Sequence, residues 1–133
     1  MTMTRAKSRS AWLAGLASAI ALAAIVQHVV SSSSGGAREI HLVVRDMTYY
    51  LDGHDDPNPT LRVRPDERIR IRLTNRDAGM SHDFGVPAWR RGTGLIAGIG
   101  EAAVEFVAPH ATGEETYSCT PHGEMMRGTI RIE

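Results

Sequence analysis

The chain has 133 residues, room for one domain and a short appendage but not for two domains. Its formal net charge is zero, yet the charges are unevenly placed: Arg5, Lys7 and Arg9 precede a long apolar run, and from Arg38 onward 12 arginines and no lysine meet 15 acids, about −3. That balance excludes a basic nucleic-acid binder, and a single cysteine, Cys119, excludes an intramolecular disulfide.

Residues 11–26, AWLAGLASAIALAAIV, carry no charge and follow the three cations directly. This is a positive n-region followed by an apolar h-region. Extended to Val30, the run reaches the ~20 residues that span a bilayer. Residues 1–30 are therefore expected to form an N-terminal hydrophobic helix. Two readings stay open: an uncleaved membrane anchor, or a signal peptide cut near Val30, where no clear A-x-A site stands. With no cysteine in this part there is no lipoprotein attachment. In either reading the flanking cations keep the N-terminus in the cytoplasm. The rest is then expected outside it, in a periplasm or on the outer face of the cytoplasmic membrane. Residues 31–37, with the run SSSSGG, read as a flexible linker.

From residue 38 to 133 the pattern changes to short alternating runs divided by Gly, Pro, Asn and Asp. In EIHLVVRD, Ile40, Leu42 and Val44 alternate with polar neighbours; in ERIRIRLTN, Ile69, Ile71 and Leu73 alternate with Arg68, Arg70 and Arg72. Period two marks strands with one buried face. Further strands are expected at TLRVR (60–64), HDFGV (82–86), AAVEFVA (102–108), ETYSC (115–119) and GTIRIE (128–133). DGHDDPNP, RPDE, NRDAG and PHATGE supply turn chemistry between them. The glycine-rich stretch 90–99 is read as loop. About seven short strands in about 100 residues imply an all-β domain over 38–133, an antiparallel sandwich.

Chemistry concentrates in YSCTPHGEMMRG, residues 117–128. One thiol, one imidazole and two thioethers crowd into a few positions. Soft sulfur ligands together with imidazole suit copper, and two His with one Cys in a plane and a weak axial Met form the blue-copper arrangement. Cys119 and His122 can reach one ion from a single loop, and Met125 and Met126 follow on it. The second imidazole has to come from elsewhere. His82, in MSHDFGVPAW, begins a short strand after the turn at 75–79 and is the candidate. The other histidines have plainer readings: His41 on the solvated face of a strand, His54 and His110 in loops, His28 at the edge of the apolar run.

NRDAGMSHDF and YSCTPHGEMMRGTIRIE, within residues 38–133, resemble the cupredoxins of the plastocyanin, azurin and pseudoazurin type. The resemblance implies a Greek-key β-sandwich and a type 1 copper site with ligands His82, Cys119 and His122. Its Met-x-Gly ending, matched by Met126-Arg127-Gly128 before the last strand, selects Met126 rather than Met125 as the axial ligand. Where that family often has Asn after the upstream His, this chain has Asp83. An ionised Asp83 is expected to accept a backbone N–H bond from the ligand loop, to favour Cu(II) and to lower the reduction potential.

The function that the resemblance implies is that of a mononuclear copper protein, not an enzyme, carrying single electrons by way of Cu(I) and Cu(II). Electrons are expected to leave through His122, and redox protein partners to dock transiently on an apolar rim around it drawn from Met80, Pro87, Ala88, Trp89 and Pro121, with simple burial as the other reading of Trp89. No nucleic acid and no small-molecule substrate are expected; the membrane is a partner only if the N-terminal segment is uncleaved. Binuclear copper centres need two cysteines and multicopper oxidases need paired His-x-His runs, and this chain has neither. The alternative is a copper carrier or buffer that delivers the ion to another protein.

Overall fold

The structure is a computed structural model and describes residues 35–133. The expected N-terminal helix, and the linker as far as residue 34, lie outside the described residues. Among the described residues no helix is long and apolar enough to cross a membrane.

Eleven strands form two principal sheets and one small ribbon. They are β1 (Arg38–Arg45), β2 (Thr48–Leu51), β3 (Leu61–Val63), β4 (Arg68–Asn75), β5 (Ser81–His82), β6 (Gly85–Val86), β7 (Arg91–Gly92), β8 (Ile96–Ala97), β9 (Gly100–Val107), β10 (Gly113–Ser118) and β11 (Arg127–Ile132). The first sheet has the order β2-β1-β4-β9, the second β3-β11-β10-β6-β7, and β5 pairs with β8 apart from both. A three-residue 3-10 turn, Pro87–Trp89, is the one helical element among the described residues.

The all-β expectation holds, but a purely antiparallel sandwich does not. β1 runs parallel to β4, and β3 parallel to β11. The chain crosses to the second sheet as β3 before returning beside β1 as β4, and that crossover lets two strands of one sheet run in the same direction. Three short pieces, β2, β7 and β8, are strands that the pattern does not predict, the last two inside the stretch read as loop. HDFGV is split in two, because Asp83 and Phe84 are both buried and the alternation fails there.

The core between the sheets comes from the alternation itself. Ile69, Ile71 and Leu73 of β4 are wholly buried, as are Leu42 and Val44 of β1. They meet Tyr117, Ile130 and Val86 of the second sheet, and Phe84 just before β6. The opposite face of β4 carries arginines that pair across strands: Arg70 stands opposite Glu39 on one side and Glu105 on the other, with Nη1 2.9 Å from Glu105 Oε1. This is the solvated strand face expected from ERIRIRLTN. Exposed pairs of this kind each contribute well under about 1 kcal/mol.

One ion pair is better supported. Glu67, at the turn into β4, accepts from Arg38 Nε at 2.6 Å and from the Arg64 amide at 2.8 Å. The bonded Arg38 guanidinium, with that amide, outweighs burial and holds the carboxyl at about 2, below its ordinary 4.5. A depressed carboxyl adds stability above its unfolded value and loses it as pH falls toward its folded value. Glu67→Gln is expected to lower stability at neutral pH by on the order of 1 kcal/mol, since Arg38 is half exposed. It should also flatten the acid arm of the stability profile between pH 4.5 and about 2. Urea melts at stepped pH read both effects.

Candidate metal centre

Asn75 ends β4 with its side chain wholly buried, and its amide nitrogen donates to the carbonyls of Met80 at 2.9 Å and Gly98 at 2.8 Å. Those bonds tie the turn after β4 to the β5–β8 ribbon. His82 is the second residue of β5, and this placement puts its ring in the interior with 0% exposure.

Cys119 follows the last residue of β10 and is also wholly buried. The loop after it closes on itself through backbone bonds: His122 N to Cys119 O at 3.3 Å, Met126 N to His122 O at 2.9 Å, and Cys119 N to Met126 O at 3.0 Å. The last bond brings the two ends of the loop together. Asn58 braces it from outside, its side-chain amide donating to Met125 O at 3.1 Å.

These elements converge at the thiol. Cys119 Sγ lies 3.7 Å from His82 Nδ1 and 3.7 Å from His122 Nδ1, and the three donor atoms lie within 4.8 Å of one another. A thiol has one hydrogen, so an S–H···N bond accounts for at most one of the two contacts. With bonds of about 2.3 Å to sulfur and 2.0 Å to nitrogen, as in zinc sites, trigonal donors stand about 3.7 Å apart. The thiol and the two imidazole nitrogens therefore fit as joint holders of one ion. Burial pushes the Cys119 thiol up, with amide bonds from Asp83 and His122 working against it, so an arriving ion has to displace the proton. Burial lowers the His82 imidazole despite the nearby Asp77, which keeps the ring neutral and able to ligate.

The structure brings together the donor atoms of His82, Cys119 and His122, with Met126 buried on the loop after Cys119 and Met125 57% exposed. Among the described residues His41, His54 and His110 are in no such cluster. His41 bonds Thr74 Oγ1 at 2.8 Å, and His110 bonds Asp66 at 2.6 Å. Asp83 does accept the backbone bond anticipated for it: Oδ1 receives the Thr120 N–H at 2.6 Å. Its own carbonyl accepts from the buried Tyr49 hydroxyl.

Trp89, for which both a place on the rim and burial are expected readings, is half-buried. That ring packs on Phe106, and Phe106 pairs with Ile69, far along β9 from the Asn75–Gly100 pair at the ligand end. Met80, two positions before His82, and Pro121, next to His122, are exposed. Sequence reasoning misses two polar residues near the site, Asn58 and Asp77. Asp77 lies five positions before His82 in a turn, and its Oδ2 is 3.0 Å from His82 Nε2. A carboxylate so near a candidate ligand is the one signal that points to it.

No family model matches the chain, and no curated protein matches it in sequence. Solved structures do match its fold. Auracyanin A, a blue copper protein of Chloroflexus aurantiacus, superposes with TM-score 0.55 at 19% identity over 74% of this chain and 100% of its own. The chain has a cupredoxin fold. Reduced auracyanin of Roseiflexus castenholzii shares that cupredoxin fold, with TM-score 0.58 at 16% identity over 74% of this chain and 99% of its own. The McoA multicopper oxidase of Aquifex aeolicus also contains it, with TM-score 0.54 at 14% identity, but the 72% of this chain that aligns spans only 26% of that enzyme.

Proposed function

We propose that the domain binds one copper ion through His82, Cys119 and His122, with Met126 as the axial ligand, and carries single electrons between redox proteins outside the cytoplasm. The observation that carries this is the pair of imidazole nitrogens, each 3.7 Å from the buried thiol of the sole cysteine. A resident copper, held by His82, Cys119 and His122, would supply a one-electron couple between Cu(II) and Cu(I). The chain's residues hold the donors in place, so little has to rearrange per electron. His82 and Cys119 are buried, whereas His122 is only half-buried, which supports His122 as the exit route and its surroundings as the docking surface. Closed ligation leaves no place for a substrate, so the reading is a carrier of electrons and not an enzyme. The N-terminal apolar run supports export, as anchor or as signal.

The test is to titrate the full-length chain with Cu(II). An intense visible thiolate-to-copper band with reversible cycling supports electron transfer. Colourless protein that hands Cu(I) to an acceptor supports a copper carrier instead, and a chain that binds no copper sinks both.

Burial supports Met126 over Met125, since an axial thioether has to face inward. Met126→Leu is expected to shift the absorption spectrum and the reduction potential while changing stability by less than about 1.5 kcal/mol, a volume-conserving swap. Met125→Leu should move neither. The reverse pattern in voltammetry would assign the axial position to Met125.

A further inference from the structure

Behind His82, on the side of the ring away from Cys119, stands Asp77. Its Oδ2 lies 3.0 Å from His82 Nε2, its side chain is 14% exposed, and that of His82 is 0% exposed. The same carboxylate accepts two backbone amides from the β1–β2 hairpin, Asp46 N to Oδ1 at 2.7 Å and Met47 N to Oδ2 at 2.9 Å. Asp46 and Met47 both have positive φ, 52° and 57°. Two left-handed residues between Arg45 and Thr48 make the tight turn that a two-residue hairpin favours. In that turn the two successive N–H groups point at one anion. Asp77 N in turn donates to Asn75 Oδ1 at 2.9 Å, so the carboxylate is fixed from both ends.

We propose that Asp77 is a positioning residue for His82, one that sets the imidazole's tautomer and biases the site toward Cu(II). The inference rests on the copper reading above. For Nδ1 to bind a metal it has to be free of hydrogen, and Nε2 then carries the N–H. In a ring with no exposure that N–H needs an acceptor, and Asp77 is there. A neutral carbonyl would serve for orientation alone. A carboxylate does more: the charge-assisted bond is roughly twice as strong as a neutral one, and it makes Nδ1 a more basic ligand. Its negative charge, one imidazole away from the ion, attracts a doubly charged ion more than a singly charged one. Asp83 is the other carboxylate beside the site, but its bond goes to the Thr120 amide and holds the loop, not a ring. The hairpin turn is thereby part of the centre's support, although neither Asp46 nor Met47 touches a ligand.

The full-length copper-loaded chain tests this with wild type and Asp77→Asn side by side. Asparagine with its oxygen in the Oδ2 place keeps the acceptor for His82 Nε2–H and the Met47 amide, and removes the charge together with the acceptor for the Asp46 amide. The variant is expected to retain the visible band, and its Cu(II) affinity should fall about 10-fold more than its Cu(I) affinity, at the lower end of what such outer partners contribute. That ratio equals a rise of about 59 mV in potential. A blue wild type whose potential is unchanged by Asp77→Asn overturns this inference alone. A wild type that takes up no copper overturns the copper reading and this inference with it. Should the variant fail to fold, proton NMR of the wild-type Cu(I) form decides. A downfield, slowly exchanging His82 Nε2–H is expected, and its absence, or a proton found on Nδ1 in its place, overturns the assignment.

Discussion

Cys119→Ser is expected to leave the copper-treated chain colourless and to weaken copper binding by more than about 100-fold, beyond the range of changes in the outer partners. Serine keeps the size of the side chain and removes the soft, ionisable sulfur that gives the colour and most of the bond. Cys119 is the only cysteine, so no second thiolate can take its place. The two imidazoles would remain, still near each other at 4.9 Å between ring centroids, but two neutral nitrogens make a poor site. The fold should survive, because a buried hydroxyl without a full set of partners costs about 1–3 kcal/mol. Absorption titration reads the site and circular dichroism reads the fold. A serine variant that stays blue would remove Cys119 from the metal.

The second large effect lies where the chain leaves the ligand loop. Gly128 pairs with Tyr117 across β10 and β11, and the Tyr117 ring lies over the glycine. A methyl on Gly128 would sit 2.7 Å from Tyr117 Cε1 and closer still to Cζ and Oη. That ring has nowhere to go: it is wholly buried, stacked on Phe84 at 5.2 Å, and its hydroxyl donates to Pro59 O at 2.7 Å. Gly128→Ala combines overpacking, about 1–3 kcal/mol, with loss of a buried hydrogen bond, about 1–3 kcal/mol. The sum is a large part of the roughly 5–15 kcal/mol that holds a typical domain. Thermal melts should show a collapse for Gly128→Ala and a partial recovery in the double variant with Tyr117→Phe, which no longer needs the Pro59 bond. An unaltered melting point would mean that the ring moves freely. The Met-x-Gly ending of the loop thus has a packing reason that does not involve metal: the glycine makes room for the tyrosine beneath the site.

The same glycine marks how far residues disclose a structure unaided. The long strands are legible because Ile69, Ile71 and Leu73 alternate with arginines, and a period of two has one physical meaning. The ligand candidates are legible because a thiol, imidazoles and thioethers at close spacing have few uses together. Partnership between strands is not legible. Alternation tells which face of β1 is buried, not that its neighbour is the parallel β4, where Ile40 stands beside Ile71. β2 escapes notice because TYYL has no polar alternation: Tyr49 is core, while Tyr50 lies under the Arg45 guanidinium at 3.8 Å. Asp77 and Asn58 are hidden for the same reason as the pairings. Each looks like ordinary turn chemistry until the fold brings a distant ring or loop against it.

His82 and Cys119 are 37 positions apart and belong to different sheets, the β5–β8 ribbon and the strand end of β10. An ion gripping both would close that stretch of chain as a covalent crosslink would, restricting the unfolded ensemble by loop-closure entropy. In a chain with no possible intramolecular disulfide, such a fastener would sit at one end of the sandwich only. The Arg38–Glu67 end would be held by its own ion pair and by β3 against β11. Loss of the ion would then loosen the molecule unevenly, opening the ligand end as a local unit while the remainder stays folded.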